Sequence, residues 1–166
     1  IKDYEDTTVP MLDTMWAYYL GKNTAILKRD TNTKGNPDNR TPVSYGRKII
    51  TTFTGYAYRP GYIMYKSEND KLIDELYRVY DGTNETVKTS LTGRNTGIFG
   101  IAYELLYIDN SIIMGKPETK ISVIDPRECI MLYDYGIEPK RKIAIRYYCV
   151  DKGDTTGVQK YKVEVY

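Results

Sequence analysis

Apolar side chains recur every three or four residues over roughly the first hundred positions, and every second residue over most of the remainder. The first regime predicts amphipathic helices and the second predicts strands. Leu12, Met15, Trp16, Tyr19 and Leu20 hold helical spacing, with Pro10 set to be a first helical residue and Gly21 a natural stop. From Lys22 to Arg40 the chain is rich in Asn, Thr, Lys, Gly and Pro and reads as an exposed loop. A second helix is expected from Thr41-Pro42, an N-cap followed by a first-turn proline, with Tyr45, Ile49, Phe53 and Tyr56 sharing one face. Gly46 and Gly55 within it are expected to mark close packing. Arg59-Pro60-Gly61 reads as a turn, and Tyr62 to Tyr65 as a short strand.

Ser67 and Asp70 have the spacing of a capping box. Leu72, Ile73, Leu76, Tyr77 and Tyr80 then make the cleanest amphipathic stripe in the chain, closed by Asp81-Gly82. A fourth helix is expected from Glu85 to about Gly97, carrying Val87, Leu91 and Ile98 inward. Ile101 to Ile108 is apolar on both faces, as in a covered central strand, and Asp109-Asn110 turns the chain. Further strands are expected over Lys120–Ile124, Cys129–Tyr133, Ile143–Val150 and Gln159–Tyr166. The last of these puts Tyr161, Val163 and Val165 on one side and Lys160, Lys162 and Glu164 on the other. Helices first and strands second argue an α+β fold: helices mainly in the N-terminal half, packed on a mostly antiparallel sheet from the C-terminal half.

The 166 residues suffice for a single domain with a real core. The ends, Ile1 and a Tyr166 lying within an alternating strand, read as those of a piece of a longer polypeptide. Tyr is over-used, 18 against two Phe and one Trp, which suits half-buried sheet faces and interfaces. The net charge of +2 is unevenly spread. Between Lys22 and Arg59 there are eight basic residues (Lys22, Lys28, Arg29, Lys34, Arg40, Arg47, Lys48, Arg59) against Asp30 and Asp38, so the rest of the chain is net acidic. That segment reads either as a phosphate-facing patch or, more simply, as a solvated loop and the wet face of a helix.

The candidate chemistry is thin. No His occurs, which removes Ser–His and Cys–His nucleophiles in their usual form. No GxxxxGK[ST] loop occurs, and Gly93, Gly97 and Gly100 precede a strand instead of following one, which fits helix packing better than dinucleotide binding. Cys129 and Cys149 supply neither zinc spacing nor a disulfide framework, and no oxygen-rich cation loop is present, so neither metal nor cofactor is expected. No apolar run reaches membrane length. Glu104 with Asp125 or Glu128 is the one carboxylate pairing that a glycoside hydrolase could use. Asp125-Pro126-Arg127-Glu128 reads more simply as a structural turn, Asp at its first position and Pro at its second.

Several fragments, in order, carry a family resemblance. They are Tyr18-Tyr19-Leu20-Gly21-Lys22; Pro37-Asp38-Asn39-Arg40; the run Ile49 to Tyr56; the run Gly97-Ile98-Phe99-Gly100-Ile101-Ala102-Tyr103-Glu104-Leu105-Leu106-Tyr107; Ile124 to Glu128; Tyr133-Asp134; and Ala144 to Tyr148. Together they resemble the portal proteins of tailed bacteriophages, of the siphophage type, along nearly the whole chain. The resemblance implies a ring of about a dozen subunits, a closed cyclic assembly, set at one vertex of the virion capsid and assembled in the bacterial host cytoplasm. Double-stranded DNA enters through such a ring during packaging and leaves through it at infection. It also implies terminase, scaffold and head-completion proteins as partners, no membrane, and no enzymatic activity in the portal itself. This chain would be the N-terminal wing segment, lying before the channel-lining parts. Arg40, Arg47, Lys48, Arg94 and Arg127 are the candidate subunit or DNA contacts, because arginine anchors interfaces and basic side chains meet phosphates. The alternatives are a carbohydrate-active enzyme using Glu104 with Asp125 or Glu128, and a DNA-binding module using the Lys22–Arg59 segment.

Overall fold

The computed structural model describes residues 1–29, 40–59, 63–110, 117–151 and 160–166. Five helices come first: α1 (Lys2–Tyr19), α2 (Thr24–Leu27), α3 (Tyr45–Ala57), α4 (Asp70–Thr83) and α5 (Glu85–Phe99). The strands come after them: β1 (Tyr103–Asp109) and β2 (Glu118–Ile124), a single 3-10 turn (Pro126–Glu128), then β3 (Cys129–Tyr133), β4 (Arg141–Asp151) and β5 (Lys160–Val165). The α+β order is as the sequence predicts. The strands, however, form two antiparallel sheets, β1-β2 and β3-β4-β5, joined through the 3-10 turn.

Most departures from the expected elements have a tertiary cause. α1 begins at Lys2 with Pro10 inside it, not at its start. An internal proline removes one backbone hydrogen bond and costs ~3 kcal/mol. The extra N-terminal turns offset that cost by bringing in Tyr4, whose hydroxyl donates to the Pro126 carbonyl at 2.7 Å. α3 starts at Tyr45, later than Thr41-Pro42, because the preceding segment packs across the end of α1. There Gly21 adopts φ +81°, and a Cβ on it would run into the Ser44 hydroxyl. Gly46 and Gly55 of α3 have nothing within 4 Å of the Cβ position, so they do not mark close packing. Gly93 does, since a Cβ there would meet the Tyr58 ring.

Residues 63–65 form no strand, and Tyr62 lies outside the described residues. α4 is capped by Asn69, whose Oδ1 accepts from the Leu72 N–H at 3.3 Å, while Ser67 Oγ accepts from the Asn69 N–H at 3.2 Å. The helix runs past Asp81-Gly82 to Thr83, which is buried and donates its hydroxyl to the Tyr80 carbonyl. Asn84, at φ 53°, turns the chain directly into α5; Asn tolerates the left-handed region better than most residues. Within the expected polar loop, Asn23 caps the short α2 by accepting from the Ala25 and Ile26 N–H groups. Residues 30–39 lie outside the described residues.

The main core sits where α1, α3 and α5 meet. Leu12, Ile98 and Phe99 are its buried centre, with Tyr4, Met15, Trp16, Tyr19 and Ile50 packed around them. Trp16 stacks between Tyr19 at 5.3 Å and Phe99 at 6.0 Å. Near the sheet junction Ile124, Pro126, Cys129, Ile130 and Tyr147 are also buried, Cys129 and Ile130 on opposite faces of β3. Three expected apolar faces turn outward instead. β1 has one strand partner, and its Leu106 and Ile108 are exposed, so it is not a covered central strand. On α5, Val87 is exposed while Ile98 is buried. On α3, the shared face of Tyr45, Ile49, Phe53 and Tyr56 points to solvent, while Ile50 and Thr54 turn toward the core.

Candidate functional site: the basic residues and the Arg127 clamp

The five candidate contact residues do not converge on one surface, and their surroundings differ. Arg127 is built into the fold. The 3-10 turn begins with Asp125 as N-cap, its Oδ1 accepting from the Arg127 N–H at 2.9 Å. That turn swings the Arg127 side chain back over its own cap. Nε donates to Asp125 Oδ1 at 3.0 Å and one terminal nitrogen to Oδ2 at 2.7 Å, a two-point grip on one carboxylate. The other terminal nitrogen reaches Asp13 on α1 at 2.9 Å. The guanidinium plane also lies 5.4 Å from the Trp16 ring centroid and 5.8 Å from that of Phe99. One side chain therefore ties the sheet junction to α1 and α5.

The electrostatics agree with that geometry. Burial alone pushes the Asp125 carboxyl upward, but its hydrogen bonds from the Arg127 side chain and backbone and the nearby positive charge outweigh it, so the net shift is downward. The Asp125 and Asp13 contacts raise Arg127 in turn. The same turn receives two phenol hydroxyls, Tyr4 on the Pro126 carbonyl and Tyr147 on the Arg127 carbonyl at 3.0 Å. The expectation of a structural turn at Asp125 and Pro126 fits this arrangement; the Asp13, Trp16 and Phe99 contacts of Arg127 were invisible in the sequence, because more than a hundred residues separate Arg127 from Asp13.

The remaining candidates are distributed over the helices. Arg40 donates to the carbonyls of Leu27 and Arg29, closing the end of α2. Arg47 lies 6.0 Å over the Tyr19 ring, pinning α3 to the end of α1. Lys48 is exposed beside Ile49, Thr52, Phe53 and Tyr56, along a shallow groove on the outer face of α3. Arg94 of α5 is half-buried, and its Nε has no hydrogen-bond partner among the described residues. Of the basic segment, Lys34 and the two acids Asp30 and Asp38 lie outside the described residues.

The three carboxylates of the hydrolase alternative are employed separately. Asp125 is held by Arg127. Glu104 on β1 accepts from the Thr92 hydroxyl of α5 at 2.5 Å. Glu128 is half-buried; burial first, then the neighbouring Asp125, push its carboxyl upward. Glu104 instead faces a cleft of about 340 Å³ between α4, α5 and β2, with Tyr65, Tyr80 and Glu85. Neither Asp125 nor Glu128 lines that cleft. Among the described residues no group of His, Cys, Asp and Glu could hold a metal ion, and no helix is long and apolar enough to cross a membrane.

A charged cluster unmarked in the linear pattern lies on the three-stranded sheet. Arg146 of β4 is opposite Glu164 of β5 and pairs with it at 3.1 Å, while its guanidinium sits 4.1 Å over the Tyr148 ring. The strand register brings Glu164 to Arg146, while Tyr148 shares the face by the two-residue period of β4.

The scaffold is thus a helical layer clamped to two small sheets by residues that bind one another. Compared with known families, the chain matches the model of the family described as phage portal protein, SPP1 Gp6-like, over residues 1–166. The chain belongs to the SPP1 Gp6-like phage portal family. No curated protein matches it. The match runs through the Lys22–Arg59 segment and Arg127 to the last strand, so the family assignment rests on the whole sequence and not on one motif. A portal protein is a structural part of the phage particle, which accords with the use of Asp125, Arg127 and Tyr147 for contacts within the subunit.

Proposed function

We propose that this chain is the wing segment of a ring-forming portal subunit, working by contacts between proteins and not by catalysis. The observation that carries the reading is the family match along all 166 residues. The lack of His and of any phosphate-cradling loop accords with a motor activity that belongs to a separate protein. In this reading about a dozen copies close into a ring at a vertex of the capsid, after assembly in the host cytoplasm. Double-stranded DNA passes along the axis of that ring, and the terminase, scaffold and head-completion proteins meet its outer parts. Arg40, Arg47 and Lys48 on the helical face are the basic residues best placed for subunit or DNA contact. Arg127 is bound within the subunit, and Arg94 is half-buried, so both are less available for such contacts.

The test is the solution mass of the parent polypeptide by light scattering, with negative-stain imaging. Rings of about a dozen subunits support the reading. A polypeptide that remains monomeric or dimeric, without rings, refutes it. Duplex-DNA binding by the 166-residue chain, if it falls steeply with salt, would instead favour the basic-segment reading.

A further inference from the structure

Two faces of this chain are apolar, exposed and different from each other. The first is the outer ridge of α3. Tyr45 and Ile49 are each 67% exposed, Phe53 is 56% exposed and Tyr56 is 69% exposed, one above the other at helical spacing. The helix is held from behind through Ile50 and Arg47, so the ridge stands on a packed helix. The second is one face of the β3-β4-β5 sheet. The register Leu132↔Ile143, Ile145↔Val165 and Tyr147↔Val163 places all these side chains on one side. On this face Tyr147 and Ile130, which is opposite Ile145, are buried, whereas Ile143, Val163 and Val165 are 41%, 50% and 66% exposed. Between Ile143 and Cys149 on β4, and between Tyr161 and Val165 on β5, no Asp, Glu, Lys or Arg lies on that face, while the opposite face carries Arg146, Lys162 and Glu164.

We infer that the α3 ridge of one copy seats on the apolar β3-β4-β5 face of a second copy, with Tyr45, Ile49 and Phe53 against Ile143, Val163 and Val165. The inference rests on the ring reading above and names the contact that would build the ring. Three considerations select a second copy as the occupant. A ring needs a head-to-tail contact between two unlike patches, and the α3 ridge and this sheet face are unlike, one a helical ridge and the other flat. An apolar helix ridge on an apolar sheet face is how helices and sheets bury their surfaces within domains. The area is also of the right order. At roughly 150–250 Å² per aromatic side chain, the exposed parts of the three ridge aromatics alone amount to roughly 300–500 Å², about half of the ~800 Å² each partner contributes to a standard interface. A patch of that size is at the upper limit for a monomer's surface.

The experiment uses the full 166-residue chain. Sedimentation velocity over a concentration series is run on the wild type, on I49D/F53D and on V163K/V165K, with circular dichroism to verify folding. Each variant is expected to self-associate about 30-fold more weakly, as loss of a central apolar anchor requires. A 1:1 mixture of the two variants should form dimers and nothing larger, because each retains one intact patch. Independently, Phe53 is replaced by p-benzoylphenylalanine and a mixture of light- and heavy-isotope chains is irradiated. Light–heavy adducts joining α3 to peptides of β4 or β5 support the contact. Adducts joining α3 to α3, adducts within one chain only, or variants that associate like wild type overturn it. If the parent polypeptide still forms rings with both pairs substituted, this contact is refuted and the portal reading stands. If the unsubstituted parent forms no rings, the portal reading itself fails.

Discussion

Replacing Arg127 by Ala should be among the most damaging single changes at the sheet junction. The side chain is 27% exposed and that of its main partner Asp125 is 35% exposed, so neither the ~3–5 kcal/mol for breaking a buried pair nor the ~0–1 kcal/mol of a surface pair applies. A two-point, charge-assisted grip in that intermediate setting contributes about 1–1.5 kcal/mol. The Asp13 partner is 57% exposed and adds only ~0.3 kcal/mol. Stacking on Trp16 and Phe99 adds ~0.5–1 kcal/mol. The expected loss is therefore about 2–3 kcal/mol, read in urea unfolding as a midpoint shift of ~1 M at unchanged slope. Arg127→Lys retains the charge but loses the fork and most of the stacking, so it should recover less than half. The pH dependence provides a second check. Asp125 has a lowered carboxyl pKa in the folded state, so its contribution is present above the ordinary aspartate value and is lost as pH falls through the folded value. The gap between wild type and Arg127→Ala should thus contract below about pH 4. A variant within ~0.5 kcal/mol of wild type at pH 7, or a gap constant down to pH 2, would refute the clamp.

Other substitutions and titrations probe the same packing. Gly93→Ala should destabilise by ~1–3 kcal/mol, because its Cβ would fall within 3.0 Å of the Tyr58 ring; Gly82→Ala, with nothing within 4 Å, should stabilise α4 by ~0.5–1 kcal/mol, and equal effects in thermal melts would contradict the packing described. Glu128 is raised by burial and by Asp125, so its charge destabilises the fold above its folded pKa and has no effect below the unfolded one. Glu128→Gln should therefore raise the melting temperature at pH 7 and leave it unchanged near pH 3. Tyr4, Tyr103 and Tyr147 are each pushed up to about 12, chiefly by burial. Their neutral forms favour the fold, so stability should fall as pH rises from 10 toward 12. Phenolate absorbance should show a late-titrating class that coincides with unfolding, and a single titration near pH 10 in the folded protein would count against it.

The parts of the candidate site written locally were legible in advance. Asp125-Pro126 carries its own turn chemistry, a capping carboxylate followed by a residue with φ already set, and the 3-10 turn forms there. The inward position of Ile98 and the strand over Cys129–Tyr133 were likewise fixed by nearest neighbours. The clamp partners of Arg127 were not, since Asp13, Trp16 and Phe99 reach it only when α1 and α5 pack together. Arg47 was singled out as a contact residue, but its place over Tyr19 depends on where α3 meets α1.

Residue type and spacing alone set the α+β class, the order of helices before strands, the lack of imidazole or P-loop chemistry, and the family resemblance, because the chain carries these wherever it folds. Which apolar faces are covered was settled only by long-range packing. Tyr45, Ile49 and Phe53 hold the same helical period as a core stripe, yet α5 and α1 take up the opposite side of α3. Val163 and Val165 alternate as a buried strand does, yet β5 is the outer strand of its sheet and both stay exposed, while Tyr147 opposite Val163 is buried. Periodicity specifies that a face is apolar; its cover comes from elements distant in the chain, and among the described residues that choice leaves exposed the two surfaces through which copies of the chain are proposed to meet.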